Sequence, residues 1–119
     1  MTAARTTGLD TLKGEPLSGV AFVQDYVEFH FDGKILRSLT PPSVTLKGVT
    51  FTFPQQGSRD ALASLIGRVV DRIEVHSDDR IQLVFEDGSV LRVPLGSENR
   101  TGPEAAHFVP GEDLPIEVW

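Results

Sequence analysis

Three histidines, His30, His76 and His107, are the side chains of this sequence with the widest chemical range. They lie in different segments, so a fold that brought them together would create a three-imidazole zinc site with an open coordination position, as in a metal-dependent enzyme. Their spacing does not require that site. His30 lies between Phe29 and Phe31, and strand alternation turns it away from both rings. A solvent-exposed histidine is the simpler interpretation.

A second possible metal site is local. His76 is followed by Ser77, Asp78 and Asp79, and an imidazole with two carboxylates can hold a cation at a loop. Ser-Asp-Asp is also ordinary turn composition.

Common catalytic and cofactor-binding motifs are absent from the sequence. The chain has no cysteine, no glycine-rich phosphate loop, no HExxH motif, no EF-hand loop and no GxSxG motif. The sequence therefore predicts no catalytic residue and no cofactor, and an enzyme is the less favoured hypothesis.

The aromatic residues allow two interpretations. The chain has seven phenylalanines, one tyrosine and one tryptophan. The phenylalanines most simply fill the core. The alternative is a small-ligand-binding β-domain in which some of them line a pocket. Tyr26 and Trp119 carry a polar group as well as a ring, which makes them candidates for an interface or a pocket.

The charge balance restricts the partners. The 119 residues include 11 basic and 17 acidic side chains, for a formal net charge of −6. The basic residues are scattered, whereas phosphate contacts need a basic stripe, so we expect no nucleic-acid partner. The excess of acid after Ser97 is ordinary solvation or a surface for a basic partner protein.

No apolar run is long enough for a membrane span or a signal peptide. The longest covers residues 20–23, against about 20 residues for a membrane helix. Residues 1–16 contain no apolar stretch typical of a leader. We therefore expect a cytoplasmic, bacterial-type protein without a membrane partner.

Glycine-containing turns give the strongest structural signal. Asp-Gly occurs at 32–33 and at 87–88, each time between apolar stretches, and both residue types tolerate the positive φ of a hairpin turn. The first predicts a two-residue turn, and the second a three-residue loop with Gly88 in the bulge position. Lys47-Gly48 predicts a third hairpin or a bulge in one long strand. The expected cross-strand pairs are Phe29–Leu36, Glu28–Arg37, Leu83–Leu91, Gln82–Arg92 and, for the third hairpin, Val44–Phe51.

One segment, about residues 58–66, is typical of a helix. Ser58 is a suitable N-cap, Asp60 suits the first turn, and Gly67 is a suitable C-cap. After it, residues 69–76 alternate as in a strand, with Val69 and Val75 on the same face.

These elements predict an α+β fold that is mainly β: a twisted antiparallel sheet or an open barrel of hairpins with one short helix. Residues 1–16 lack periodicity and are predicted to be a flexible tail, and residues 17–119 a single β-rich domain. Two stretches, 17–40 and 65–95, share a plan of Leu-x-Gly, strand, Asp-Gly hairpin and apolar-Leu-Arg. This pattern predicts two copies of a strand–hairpin unit.

The second stretch resembles a group of small uncharacterised bacterial proteins, a domain of unknown function. It matches their Leu-Ile-Gly-x-x-Val start at 65–70 and their Phe-x-Asp-Gly-x-x-Leu pattern at 85–91. These motifs are folding signals, so the resemblance implies a fold and supplies no catalytic residue.

The hairpins and the missing catalytic motifs favour a non-enzymatic binding or assembly module. Strand edges invite pairing, so we expect self-association as a homodimer, with a basic protein as the other possible partner. The alternatives are the phenylalanine-lined ligand domain and the metal-dependent enzyme that uses His30, His76 and His107.

Overall fold

Antiparallel strands account for most of the regular structure. The computed structural model describes residues 8–111 and 114–119. The strands are β1 (Gly19–Val23), β2 (Tyr26–Phe31), β3 (Lys34–Ser38), β4 (Ser43–Leu46), β5 (Val49–Thr52), β6 (Val70–His76), β7 (Arg80–Phe85), β8 (Val90–Pro94), β9 (Ala106–Val109) and β10 (Glu117–Val118). The helix α1 covers Ser58–Ala63, and 3-10 helices cover Gly8–Leu12 and Ser97–Asn99.

The strands form two five-stranded sheets. Sheet 1 has the order β1-β2-β3-β9-β10, and sheet 2 the order β5-β4-β8-β7-β6. An isolated antiparallel bridge between Pro16 and Val69 links the segments that precede β1 and β6. Beside it, the Leu17 N–H donates to the Arg68 carbonyl at 3.0 Å and the Gly67 N–H donates to the Leu17 carbonyl at 2.7 Å. The sheets do not close into a barrel, and the mainly β, antiparallel prediction with one short helix is confirmed.

One hydrophobic cluster lies between the sheets. Alternate residues of most strands enter it, because successive side chains of a strand point to opposite faces. Four of its phenylalanines are almost fully buried: Phe29, Phe31, Phe85 and Phe108. This placement confirms the core interpretation for most of the seven phenylalanines.

The predicted hairpin registers are confirmed. Phe29 pairs with Leu36, Leu83 with Leu91, and Val44 with Phe51. At the first turn, Asp32 and Gly33 have φ values of 45° and 89°. Positive φ at both positions matches the twist of the flanking strands, so Asp-Gly fixes the register here.

The helix is shorter than predicted, and Ser58 is not its N-cap. Gly57, with φ 85°, takes that place, and the Ser58 hydroxyl is buried without a hydrogen-bond partner among the described residues. The α-helix ends at Ala63, after which tighter turns lead to Gly67. The residue before the helix, Gly57, has a left-handed backbone conformation, which glycine adopts without steric cost. The preference of serine for N-cap positions does not indicate this arrangement.

Two further predictions are wrong. From Gly8 onward the predicted tail is packed, because Leu9 and Leu12 of the first 3-10 helix are fully buried; residues 1–7 lie outside the described residues. In β6, a bulge between Val70 and Arg72 shifts the alternation, so Val70 and Val75 both enter the core.

The two stretches predicted to be repeats fold alike. Residues 17–40 contain β1, β2 and β3, and residues 65–95 contain β6, β7 and β8. Each set is a three-stranded meander in its own sheet, and its third strand pairs with a strand from elsewhere, β9 or β4. The strands β2 and β3 of sheet 1 therefore have positional counterparts in β7 and β8 of sheet 2.

Candidate functional site

The three histidines do not converge. His30 lies on β2 and His107 on β9, both in sheet 1, whereas His76 ends β6 in sheet 2. Each imidazole instead contacts a nearby carboxylate, at 3.2 Å for His30 and His76 and at 2.8 Å for His107. Within residues 8–111 and 114–119, no group of three or more potential ligands is placed to hold a metal. The three-histidine zinc site is therefore wrong, because the sheet topology separates its members.

The local site at His76, Asp78 and Asp79 is not formed either. Asp78 occupies the left-handed position of the turn, with φ 65°. The Asp79 carboxylate pairs with Arg80, and the His76 ring bonds to Glu74. Each group has another structural role, and turn composition explains the Ser-Asp-Asp sequence.

A continuous row of side chains crosses the outer face of sheet 1. Ala21 is the cross-strand neighbour of Glu28, Glu28 of Arg37, Arg37 of His107, and His107 of Val118. We call its three central residues, Glu28, Arg37 and His107, the polar row. Their strand neighbours Val27, Phe29, Leu36 and Phe108 are fully buried, so the polar row faces away from the core.

The centre of the polar row is a chain of hydrogen bonds. Arg37 Nε–H donates to Glu28 Oε2 at 2.8 Å, and Arg37 Nη1–H donates to His107 Nδ1 at 3.1 Å. The His30 ring nitrogen Nε2 lies 3.2 Å from the second oxygen of Glu28. A guanidinium has no acceptor, so His107 Nδ1 accepts and its Nε2–H donates to Glu104 at 2.8 Å. These bonds join β2, β3 and β9 across their outer face.

Glu28 carries the negative charge at the centre of this chain. Burial raises its pKa, but the hydrogen bonds and charges of Arg37 and His30 outweigh burial, so its pKa lies below the ordinary 4.5. The Arg37 guanidinium also lies over the Tyr26 ring, 5.6 Å from its centroid. The carboxylate is therefore ionised near neutral pH and held from two sides.

Sheet 2 builds the corresponding bridge from neutral acceptors. Arg92 on β8 lies opposite Gln82 on β7. Arg92 Nε–H donates to Gln82 Oε1 at 3.2 Å and Arg92 Nη1–H to Thr45 Oγ1 at 2.9 Å. Thr45 in turn bonds Thr50 at 2.8 Å. In both sheets an arginine therefore lies between two acceptors on neighbouring strands. In sheet 1 one of these acceptors is an ionised carboxylate, whereas in sheet 2 both are neutral.

The two interface or pocket candidates lie at opposite ends of sheet 1. Tyr26 is half-buried under Arg37 at the start of β2. Trp119 follows β10, and its backbone N–H donates to Ala106 at 2.9 Å while its ring packs against the core. Trp119 thus fastens residues 117–119 to β9.

Two surface pockets are formed without phenylalanine. A pocket of about 590 Å³ lies between the 32–33 turn and residues 110–111 and 114–117, and one of about 510 Å³ lies between the 47–48 and 87–88 turns. In the second pocket, Arg68 contacts Asp87 and Ser89. Neither of these two pockets has a phenylalanine in its lining, and the phenylalanine-lined ligand domain stays a prediction.

Two cross-strand pairs of the outer faces, Glu28–Arg37 and Gln82–Arg92, follow from the hairpin registers, but the contacts that extend them do not. The contact of Arg37 with His107, and that of Arg92 with Thr45, depend on strands far apart in the chain. The alternation of His107 with two buried neighbours, Ala106 and Phe108, is the sequence signal that places it on an outer face.

Comparison with protein families, with curated proteins and with solved structures finds no match for this chain. The resemblance to the bacterial domain of unknown function stays a prediction. None of the helices in the described part of the chain is long and apolar enough to cross a membrane.

Proposed function

We propose that this chain is a non-enzymatic binding and assembly module that forms a homodimer through the open edge of β1. The observation that carries the proposal is the chemistry of that edge. β1 reads Gly-Val-Ala-Phe-Val, five residues without a charge or a proline, and it ends sheet 1. No backbone hydrogen bond from Gly19–Val23 reaches beyond β2 among the described residues. An edge of this kind is a template for another strand.

The other sheet edges are shorter or protected. β10 has two residues, and β5 has four, of which Thr52 already accepts a bond from Gln55. β6 carries a bulge and four charged or histidine side chains, and residues 14–15 bond to Val70 at its start. Charges, bulges and covering segments are devices that prevent strand pairing.

The side chains of β1 leave its edge accessible. Phe22 stacks on Phe53, with centroids 5.9 Å apart, and the Arg59 guanidinium lies over the Phe53 ring, 4.9 Å from its centroid. Phe22 is the cross-strand neighbour of the buried Val27, so this stack lies on the core-facing side of β1. Val23 is exposed on the outer side. Two copies of β1 in antiparallel pairing would therefore join two copies of sheet 1 into one ten-stranded sheet.

Sedimentation velocity tests the proposal. The wild type is expected to sediment with twice the 13.0 kDa chain mass, and Ala21→Lys to sediment as a monomer, because a lysine at the centre of an edge strand opposes pairing. Thr50→Lys places the same charge on the β5 edge and is expected to leave the dimer intact. A monomeric wild type, or dissociation by Thr50→Lys alone, would contradict the proposal.

Amide hydrogen exchange gives a second measurement without a substitution. Backbone amides of β1 that point to the open edge are expected to exchange more slowly as protein concentration rises, because pairing protects them. Amides of β6 serve as the internal control. Exchange in β1 that is independent of concentration would contradict dimerisation through this edge even if the variants failed to fold.

A further inference from the structure

On the outer face of sheet 2, two guanidinium groups converge on one neutral oxygen. Gln82 Oε1 accepts from Arg80 Nε–H at 3.1 Å and from Arg92 Nε–H at 3.2 Å. Arg80 and Gln82 lie on the same face of β7, two residues apart, and Arg92 lies opposite Gln82 on β8. Two positive charges are thus held side by side by an acceptor that neutralises neither.

The corresponding position in sheet 1 shows what is unusual here. Glu28 also accepts from two donors, Arg37 across the strand pair and His30 two residues along its own strand. Its acceptor is an ionised carboxylate, which offsets the charge of Arg37. Glu28 uses one carboxylate oxygen for each donor, whereas Gln82 accepts both bonds on a single amide oxygen and supplies no negative charge.

Arg92 keeps its charge uncompensated at close range. Its other bond goes to the Thr45 hydroxyl, and no carboxylate lies within 4 Å of it in the described part of the chain. The side chain is half-buried and fixed from two sides, so its orientation is set in advance. A positioned guanidinium binds an oxyanion with less loss of conformational freedom than a free one.

The nearby carboxylates do not neutralise both arginines, so one further anionic group can be bound. Arg80 also pairs with Asp79, an exposed carboxylate on the neighbouring turn. Glu74 lies next to Gln82 on β6, but its oxygens bond to Arg72 at 3.3 Å and to His76 at 3.2 Å, and these bonds lower its pKa. Both nearby carboxylates are therefore already paired with cations.

We propose that the outer face of sheet 2 binds an oxyanion, a carboxylate or phosphate group, between Arg80 and Arg92. Guanidinium groups match the planar oxygens of both ligands and bind them with charge-assisted hydrogen bonds. The site lies on the sheet that does not contain β1, so it is independent of the proposed dimer.

Titration followed by ¹H–¹⁵N NMR of the arginine Nε–H groups tests this site. Inorganic phosphate is one probe and acetate the other, each added at constant ionic strength with chloride as the balancing anion. The Nε–H signals of Arg80 and Arg92 are expected to shift saturably with one or both probes. A response to phosphate alone assigns a phosphate ligand, and a response to acetate as well assigns carboxylates too.

The decisive variant is Gln82→Glu. It keeps the shape of the side chain and supplies the missing charge, so it is expected to weaken binding at least about tenfold. Glu28→Gln, which makes the reverse change in sheet 1, is the matched control and is expected to leave these shifts unchanged. Absence of a saturable shift with both probes, or equal binding by Gln82→Glu, would overturn the proposal. Arg92→Lys, which keeps the charge but removes the planar fork, gives the same test if Gln82→Glu does not fold.

Discussion

Arg37 lies directly opposite His107 across β3 and β9, and its Nη1–H donates to His107 Nδ1 at 3.1 Å. Because the guanidinium can only donate, this contact requires an imidazole whose Nδ1 carries no proton. The other ring nitrogen faces the Glu104 carboxylate at 2.8 Å and therefore carries the hydrogen. One cross-strand bond thus fixes the tautomer of a histidine between a cation and an anion.

The first prediction concerns that tautomer. Near neutral pH, long-range ¹H–¹⁵N NMR is expected to show His107 with hydrogen on Nε2 and none on Nδ1. In Arg37→Ala, which removes the donor, the preference for this tautomer is expected to weaken. The His76 ring bonds to the Glu74 carboxylate, far from Arg37 on the other sheet, and serves as the control whose spectrum does not change. A proton on Nδ1 of His107 in the wild type would show that the Arg37–His107 bond does not form.

A second prediction follows from the lowered pKa of Glu28. A carboxyl group with a lower pKa in the folded state stabilises the fold above its unfolded pKa, and that stability is lost as pH falls through the folded pKa. Glu28→Gln is therefore expected to lower the free energy of unfolding by about 1.5–3 kcal/mol near neutral pH, because the amide keeps only one of the two acceptor oxygens and carries no negative charge. In strong acid the two proteins are expected to converge.

Urea denaturation of both proteins, at neutral pH and at a pH well below 4, measures this difference. Comparison between the two proteins is essential, because Glu74 and Asp87 also have lowered pKa values and make the wild type acid-sensitive. A difference between wild type and Glu28→Gln that stays constant down to low pH would show that the charge of Glu28 contributes nothing.

Local turn chemistry explains why much of the fold could be predicted. Asp32-Gly33 needs positive φ at both residues, and few other residue pairs supply it at low cost. Once that turn is placed, alternation determines which residues of β2 and β3 face the core, and the Glu28–Arg37 pair follows. The same reasoning placed Gln82 opposite Arg92, so the centres of both outer faces were accessible from sequence.

The remaining features depend on contacts that no local pattern encodes. β9 follows β3 in sheet 1 although some seventy residues separate Arg37 from His107, so their contact requires knowledge of the sheet order. The bulge between Val70 and Arg72 shifts the alternation in β6, and residues 14–15 bond to Val70 at that end of the strand. Gly57 rather than Ser58 is the N-cap of the helix, and a β-carbon at Gly57 would lie 3.6 Å from the Phe51 ring of another strand.

The third prediction isolates the backbone conformation of the first hairpin. Gly33 has φ 89°, and a β-carbon there would meet no atom within 4 Å. Gly33→Ala is therefore expected to lower the free energy of unfolding by about 1–2 kcal/mol, through strain alone. Gly102→Ala is the control, because that β-carbon also meets nothing and the residue does not have positive φ. Thermal denaturation of both variants measures the contrast. An equal effect of the two substitutions would mean that the turn does not require positive φ at residue 33.

The fourth prediction concerns the two faces of sheet 1. Phe29 is fully buried, whereas Ile35, opposite His30, lies half-buried on the outer face. Phe29→Ala removes a ring from the single core that both sheets share and is expected to cost about 3–5 kcal/mol, since the cavity cannot fully collapse. Ile35→Ala removes a side chain that is already in contact with solvent, so its cost is expected to be smaller. Chemical denaturation measures both free energies. If Ile35→Ala were the more destabilising substitution, another surface would have to cover the outer face of sheet 1. Sedimentation of Ile35→Ala and of Ala21→Lys would then show whether that surface belongs to a second copy of the chain.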